Sequence, residues 1–97
     1  MPKVMTMFTI ISYDIVEDKR RTKVMKFLLG YGARVQYSVY ECDLTAAQFT
    51  KIQIELARLI DLQTDSVRCY QLDAAAIKQI AIIGVGQVMR LPPYYLV

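Results

Sequence analysis

The sequence predicts an α+β domain: one open sheet with helices packed on one of its faces. Three observations lead there. Strand-like and helix-like stretches alternate along the chain, the pattern of helices folded back onto a sheet. The first strand-like stretch is apolar on both of its alternating sets, so both of its faces are to be covered. The 97 residues make one domain with a single modest core, too few for two.

Met5 to Asp14 is the first predicted strand, with Met7, Ile11 and Tyr13 on one face and Phe8 and Ile10 on the other. Glu17 to Leu29 follows as a helix. Val24, Phe27, Leu28 and Tyr31 recur at i, i+3, i+4, i+7 and form its buried stripe. Lys19, Lys23 and Lys26 lie along a different face, with Arg20 beside it. Glu17 and Asp18 suit the positive end of the helix dipole. Gly30 and Gly32 mark the exit, since glycine tolerates the left-handed turn that ends many helices.

Arg34 to Asp43 reads as a second strand. Val35, Tyr37 and Val39 share one face, and Arg34, Gln36, Ser38, Tyr40 and Cys42 share a polar-aromatic face suited to a wet interface or to solvent. Thr45 and Gln48 form a capping box that opens the second helix. Phe49, Ile52, Leu56 and Leu59 are its buried stripe, and it fades near Asp61. Val67 to Leu72 is a third strand, Ala74 to Lys78 a short turn or helical piece, and Gln79 to Ile83 a short fourth strand ended by Gly84 and Gly86. Residues 1–97 are one domain in which residues 88–97, ending in Pro92-Pro93-Tyr94-Tyr95-Leu96-Val97, are a tail greasy enough to dock as an edge strand.

Hydrophobic residues are 55% of the chain, more than a small soluble domain usually carries. With helices on one face only, the other face calls for a partner, and a two-fold homodimer is the expected functional unit.

Composition narrows the chemistry. A net charge of +3 is too mild to argue for a polyanionic partner, so the clustering of charge has to carry that argument. Histidine is absent, which removes the commonest general base and transition-metal ligand. Catalysis would run on carboxylates, tyrosine, lysine or a hard metal ion. Cys42 and Cys69 lack the spacing of zinc or dithiol motifs. The first residues have no signal-peptide pattern and no run reaches membrane-spanning length, so a cytoplasmic protein with reduced thiols and no membrane association is expected.

The informative stretch is Ile10 to Lys26. An apolar strand ends in Tyr13-Asp14, and Lys19, Arg20, Arg21, Lys23 and Lys26 then place five positive charges in eight residues. A carboxylate at a strand tip beside such a cluster is what metal-assisted work on a phosphodiester backbone requires. An ordinary surface helix has the same appearance, with Asp14 as a strand-end cap or an ion-pair partner of Arg20, Arg21 or Arg34.

Tyr13-Asp14-Ile15, then Asp18-Lys19-Arg20-Arg21, then Gly32-Ala33-Arg34-Val35-Gln36-Tyr37-Ser38-Val39-Tyr40-Glu41 resemble the CRISPR-associated protein two family, the small adaptation subunit. The resemblance continues through Val67-Arg68-Cys69-Tyr70 and Ile80 to Gly84. It implies a ferredoxin-like βαββαβ sandwich with an extra C-terminal edge strand and a homodimer whose sheets face each other. That order needs two strands between the helices, so Arg34 to Asp43 is expected to bend or break near Tyr37-Ser38.

The resemblance also implies a role in spacer acquisition beside the integrase subunit, CRISPR-associated protein one. It further implies Mg²⁺-dependent (or Mn²⁺-dependent) nuclease activity on RNA or duplex DNA. It makes Asp14 the catalytic and metal-binding residue, with two copies approaching each other across the dimer axis. Arg21, Lys23 and Arg34 match basic positions near the family's site. With Lys19, Arg20 and Lys26 they are the expected contacts to duplex DNA or single-stranded RNA. Tyr13, Ser38 and Tyr40 are candidates for positioning substrate, Tyr40 by stacking bases on the sheet face. The rival expectations are a non-catalytic, architectural DNA-binding subunit and a small regulatory or ligand-binding domain.

Overall fold

The computed structural model describes residues 5–88. In chain order it contains β1 (Thr6–Asp14), α1 (Asp18–Leu29), β2 (Gly32–Gln36), β3 (Val39–Thr45), α2 (Ala46–Leu59), β4 (Ser66–Leu72) and the short α3 (Ala74–Ile77). The sheet order is β2-β3-β1-β4, and all three pairings are antiparallel. Two β-α-β units therefore interleave, each leaving room for a strand of the other, which is the ferredoxin-like arrangement.

The helices form where periodicity puts them. Val24 and Leu28 of α1 and Ile52 and Leu56 of α2 are buried on Ile11, Tyr13, Tyr40, Cys42 and Leu44 of the sheet. Each such aliphatic side chain contributes roughly 1.5–3 kcal/mol by leaving water. The capping box closes α2 as expected: Gln48 N donates to Thr45 Oγ1 at 3.1 Å, and Thr45 N donates to Gln48 Oε1 at 2.9 Å.

The stretch Arg34 to Asp43 breaks at Tyr37-Ser38, and Gln36 pairs with Val39 across the turn, with an irregularity between Arg34 and Gln36. Its expected polar-aromatic face is corrected. Tyr40 and Cys42 are fully buried against the helices, because Tyr40 pairs with Ile11 and Cys42 with Thr9 on the covered side of β1. Burial pushes the Cys42 thiol up to about 11.

Gly30 and Gly32 also differ from expectation, since neither has a positive φ. Gly32 is required for another reason. A Cβ there would collide with the Glu41 carbonyl oxygen and Cys42 Sγ on β3.

Gln79 to Ile83 is not a strand. The amides of Gln79 and Ile80 donate to the Ala76 and Ile77 carbonyls, so they are spent continuing the turn of α3. Ile80 instead packs with Phe8, Ile77, Ile10, Leu72 and Val88 on the face of the sheet opposite α1 and α2. That face is therefore partly covered by the chain itself. Large apolar groups remain open on and beside it: Tyr70 is 47% exposed, Ile83 99% and Val85 100%. The expected edge strand within residues 88–97 lies, beyond Val88, outside the described residues.

Candidate nucleic-acid interface and carboxylate site

Residues 13 and 14 point to opposite faces of β1, and this divides the candidate residues. Tyr13 faces the helices, 7% exposed, with its ring stacked on that of Tyr40 at 6.0 Å and 25° between planes. Tyr13 N donates to the Ser38 carbonyl at 3.1 Å, tying the β2–β3 turn to the tip of β1. Asp14, paired with Ser66 in the ladder, is exposed at that tip on the other side.

The three arginines expected as ion-pair partners of Asp14 are engaged elsewhere. Arg20 Nε donates to Asp65 Oδ2 at 2.8 Å. Arg21 pairs with Asp18 and donates from Nη1 to the Ile15 carbonyl at 2.8 Å. Arg34 Nε donates to the Tyr37 carbonyl at 2.9 Å, and its guanidinium lies over the Tyr37 ring at 4.9 Å. Among the described residues no cation forms an ion pair with Asp14. The ion-pair explanation for this residue therefore falls away. An exposed carboxylate with no ion-pair partner among the described residues fits a hard cation, which takes one or two carboxylates and keeps several waters. No group of three or more His, Cys, Asp or Glu side chains that could hold a metal ion occurs among the described residues.

Lys19, Lys23 and Lys26 are exposed along the outer stripe of α1, without ion pairs among the described residues. Arg20 departs from this group. Its side chain is 24% exposed and its partner Asp65 is fully buried. Asp65 also accepts from Val16 N at 3.1 Å and Asp61 N at 2.9 Å. The guanidinium bond holds this carboxyl far below the usual carboxylate range, and Asp65 in turn raises Arg20. Arg20 belongs to the joint between α1 and β4.

Tyr40 is also reassigned. With no exposed ring surface it cannot stack a base, and burial pushes its hydroxyl up to about 12. Sequence reasoning named Tyr13, Arg21 and Arg34 separately but did not see that they line one cavity. Asp18, Arg21, Thr22 and Met25 form one stripe of α1, and with Tyr13, Arg34 and Tyr37 they line a cavity of about 250 Å³. Their i, i+3, i+4, i+7 spacing was the available signal.

Comparisons with known proteins agree with this architecture. The family described as CRISPR associated protein Cas2 matches residues 7–80. A protein of Chloroflexus aurantiacus named CRISPR-associated endoribonuclease Cas2 3 is 52% identical, over 96% of this chain and 100% of its own length. The CRISPR-associated endonuclease Cas2 2 of Thermus thermophilus is 37% identical over 84% of this chain and 86% of its own. Among solved structures, Streptococcus pyogenes Cas2 superposes with a TM-score of 0.72 at 36% identity, covering 80% of this chain and all of that one. A chain of a partial Cas6-RT-Cas1–Cas2 complex gives 0.70 at 26% identity, covering 79% and 90%. This chain belongs to the CRISPR associated protein Cas2 family.

Proposed function

We propose that this chain serves CRISPR adaptation as a homodimer that binds the nucleic-acid backbone and cleaves phosphodiester bonds at paired Asp14 carboxylates with Mg²⁺, or with Mn²⁺ in its place. Family membership and likeness to a chain from a complex containing Cas1 support the adaptation role and Cas1 as the partner. The names endoribonuclease and endonuclease among relatives support nuclease activity. The observation that carries the assignment is the exposed Asp14, without an ion pair among the described residues while Arg20, Arg21 and Arg34 each have other partners.

In this reading the sheet faces opposite α1 and α2 meet between two copies, bringing the two β1 tips together. Asp14 from each copy would hold the ion, which supplies Lewis-acid polarisation of the phosphate and activation of water for in-line attack. Lys19, Lys23 and Lys26 align the backbone through charge, and Arg21 and Arg34 add N–H donors. With no histidine in the chain, Asp14 or solvent takes the proton. Such contacts orient a substrate without reading its sequence, so RNA and duplex DNA are both admissible.

Asp14→Asn tests the assignment. Mg²⁺-dependent cleavage is expected to fall about 100-fold or more, with duplex binding and dimer mass retained. Unchanged cleavage would remove Asp14 from the chemistry and favour the architectural reading, which the exposed lysine stripe supports without any catalysis.

A further inference from the structure

Among the described residues the strands carry two basic side chains, Arg34 and Arg68, and the register puts them on opposite faces of the sheet. Arg34 pairs with Tyr40 on the helix side, where its guanidinium meets Met25 of α1. Arg68 pairs with Ser12. It stands between Val67 and Cys69, which pack against the helix-side core, so it shares the other face with Asp14. Asp14 itself pairs with Ser66, which makes Arg68 its diagonal neighbour. Such neighbours are about 7–8 Å apart at the backbone, within reach of a long side chain. Lys19, Lys23 and Lys26 belong to α1, in the helix layer. Arg68 is the strand cation on the carboxylate's own face.

Arg68 is exposed and makes no ion pair among the described residues. The Tyr70 hydroxyl, two residues along on the same face, sits beside the guanidinium and raises its pKa. A neutral phenol steadies the arginine without cancelling its charge. Asp14 and Arg68 thus share a face without closing on each other, an arrangement that suits an anion drawn in beside the carboxylate. We propose that Arg68 is the phosphate contact of the Asp14 site, donating N–H groups to the non-bridging oxygens of the phosphodiester that is cut. The proposal rests on the reading of Asp14 as the nuclease carboxylate. In the cleavage, the water oxygen bonds to phosphorus as the bond to the departing sugar oxygen breaks. The water proton goes to Asp14 or solvent, and solvent protonates the departing oxygen. Negative charge gathers on the non-bridging oxygens meanwhile, and Arg68 meets it there.

Arg68→Gln and Arg68→Lys in the full chain test it, with duplex affinity read by fluorescence anisotropy across a salt series and cleavage read with Mg²⁺. Arg68→Gln is expected to flatten the slope of log affinity on log salt by about 0.9 for each phosphate the arginine neutralises. It should also lower kcat by about 10- to 100-fold, at unchanged dimer mass. Arg68→Lys keeps the slope and recovers part of the rate, since the charge returns without the paired donors. An unchanged slope or an unchanged kcat in Arg68→Gln overturns the proposal. So does a loss of dimer mass, which makes Arg68 an interface residue, or a lower Mg²⁺ requirement, which makes it a counter-ion of Asp14. Cleavage lost in Asp14→Asn but retained in Arg68→Gln overturns this proposal alone. An intact chain that binds duplex without cutting it overturns the Asp14 reading and this proposal together.

Discussion

Arg20 Nε reaches Asp65 Oδ2 at 2.8 Å, and this bond takes Arg20 out of the positive surface on which its neighbours lie. The carboxylate is fully buried and also caps the amides of Val16 and Asp61. One side chain thus joins the end of β1, the start of α1 and the loop entering β4. A buried carboxylate held this way is costly to leave unpaired, so the pair fixes the geometry of that joint.

The pH dependence follows from the lowered folded-state value of Asp65. In the unfolded chain this group titrates near its ordinary value of 3.8; in the fold it stays ionised well below that. Between the two values the unfolded state binds more protons, so stability falls as pH drops. The contribution is complete above about pH 4–5 and is progressively lost on further acidification. Thermal melts from neutral to strongly acidic pH should show Asp65→Asn lower in Tm at neutral pH, with the gap narrowing towards acid. A gap constant with pH would contradict the assignment.

The lysine stripe makes a separate prediction about salt. Each duplex phosphate neutralised by a cation steepens the dependence of log affinity on log salt by about 0.9. Replacing Lys19, Lys23 and Lys26 by Gln should flatten the measured slope by about that amount for each lysine that sits on a phosphate. Arg20→Gln should lower Tm and leave the slope nearly as it was. A slope as sensitive to Arg20 as to the lysines would return Arg20 to the binding surface.

Tyr40 separates packing from ligand binding. Its hydroxyl is buried beside that of Tyr13, which helps burial to raise its pKa, but makes no hydrogen bond of good geometry among the described residues, and such a group costs about 1–3 kcal/mol. Tyr40→Phe is therefore expected to leave stability unchanged or raise it by about 1 kcal/mol, with nucleic-acid affinity unaltered. Chemical denaturation and a binding titration check both halves. A loss of affinity in Tyr40→Phe would mean that the ring becomes accessible in the complex.

What the sequence disclosed follows the range of the interactions involved. The stripes of α1 and α2 and the Thr45–Gln48 box are local patterns, and they stand where periodicity and capping put them. Asp14 at the tip of β1 was equally legible, since the apolar run ends there. The break at Tyr37-Ser38 carries no glycine or proline and became visible only through the family's strand order. Arg20 and Asp65 are 45 residues apart, so nothing local could show that the arginine is already engaged. Tyr40 was misjudged because alternation tells which residues share a face, not which face the helices cover. Residues 79–83 look like a strand in composition, yet α3 takes their first amides and Phe8 takes Ile80.

The central claim is that two copies meet through the sheet face opposite α1 and α2, where Tyr70 and Val85 are exposed, bringing two Asp14 carboxylates within reach of one ion. Sedimentation velocity of the chain at micromolar concentration tests this most directly. The expected result is a single species of twice the 11.1 kDa chain mass. A single species at the chain mass would contradict it, leaving each Asp14 without its counterpart.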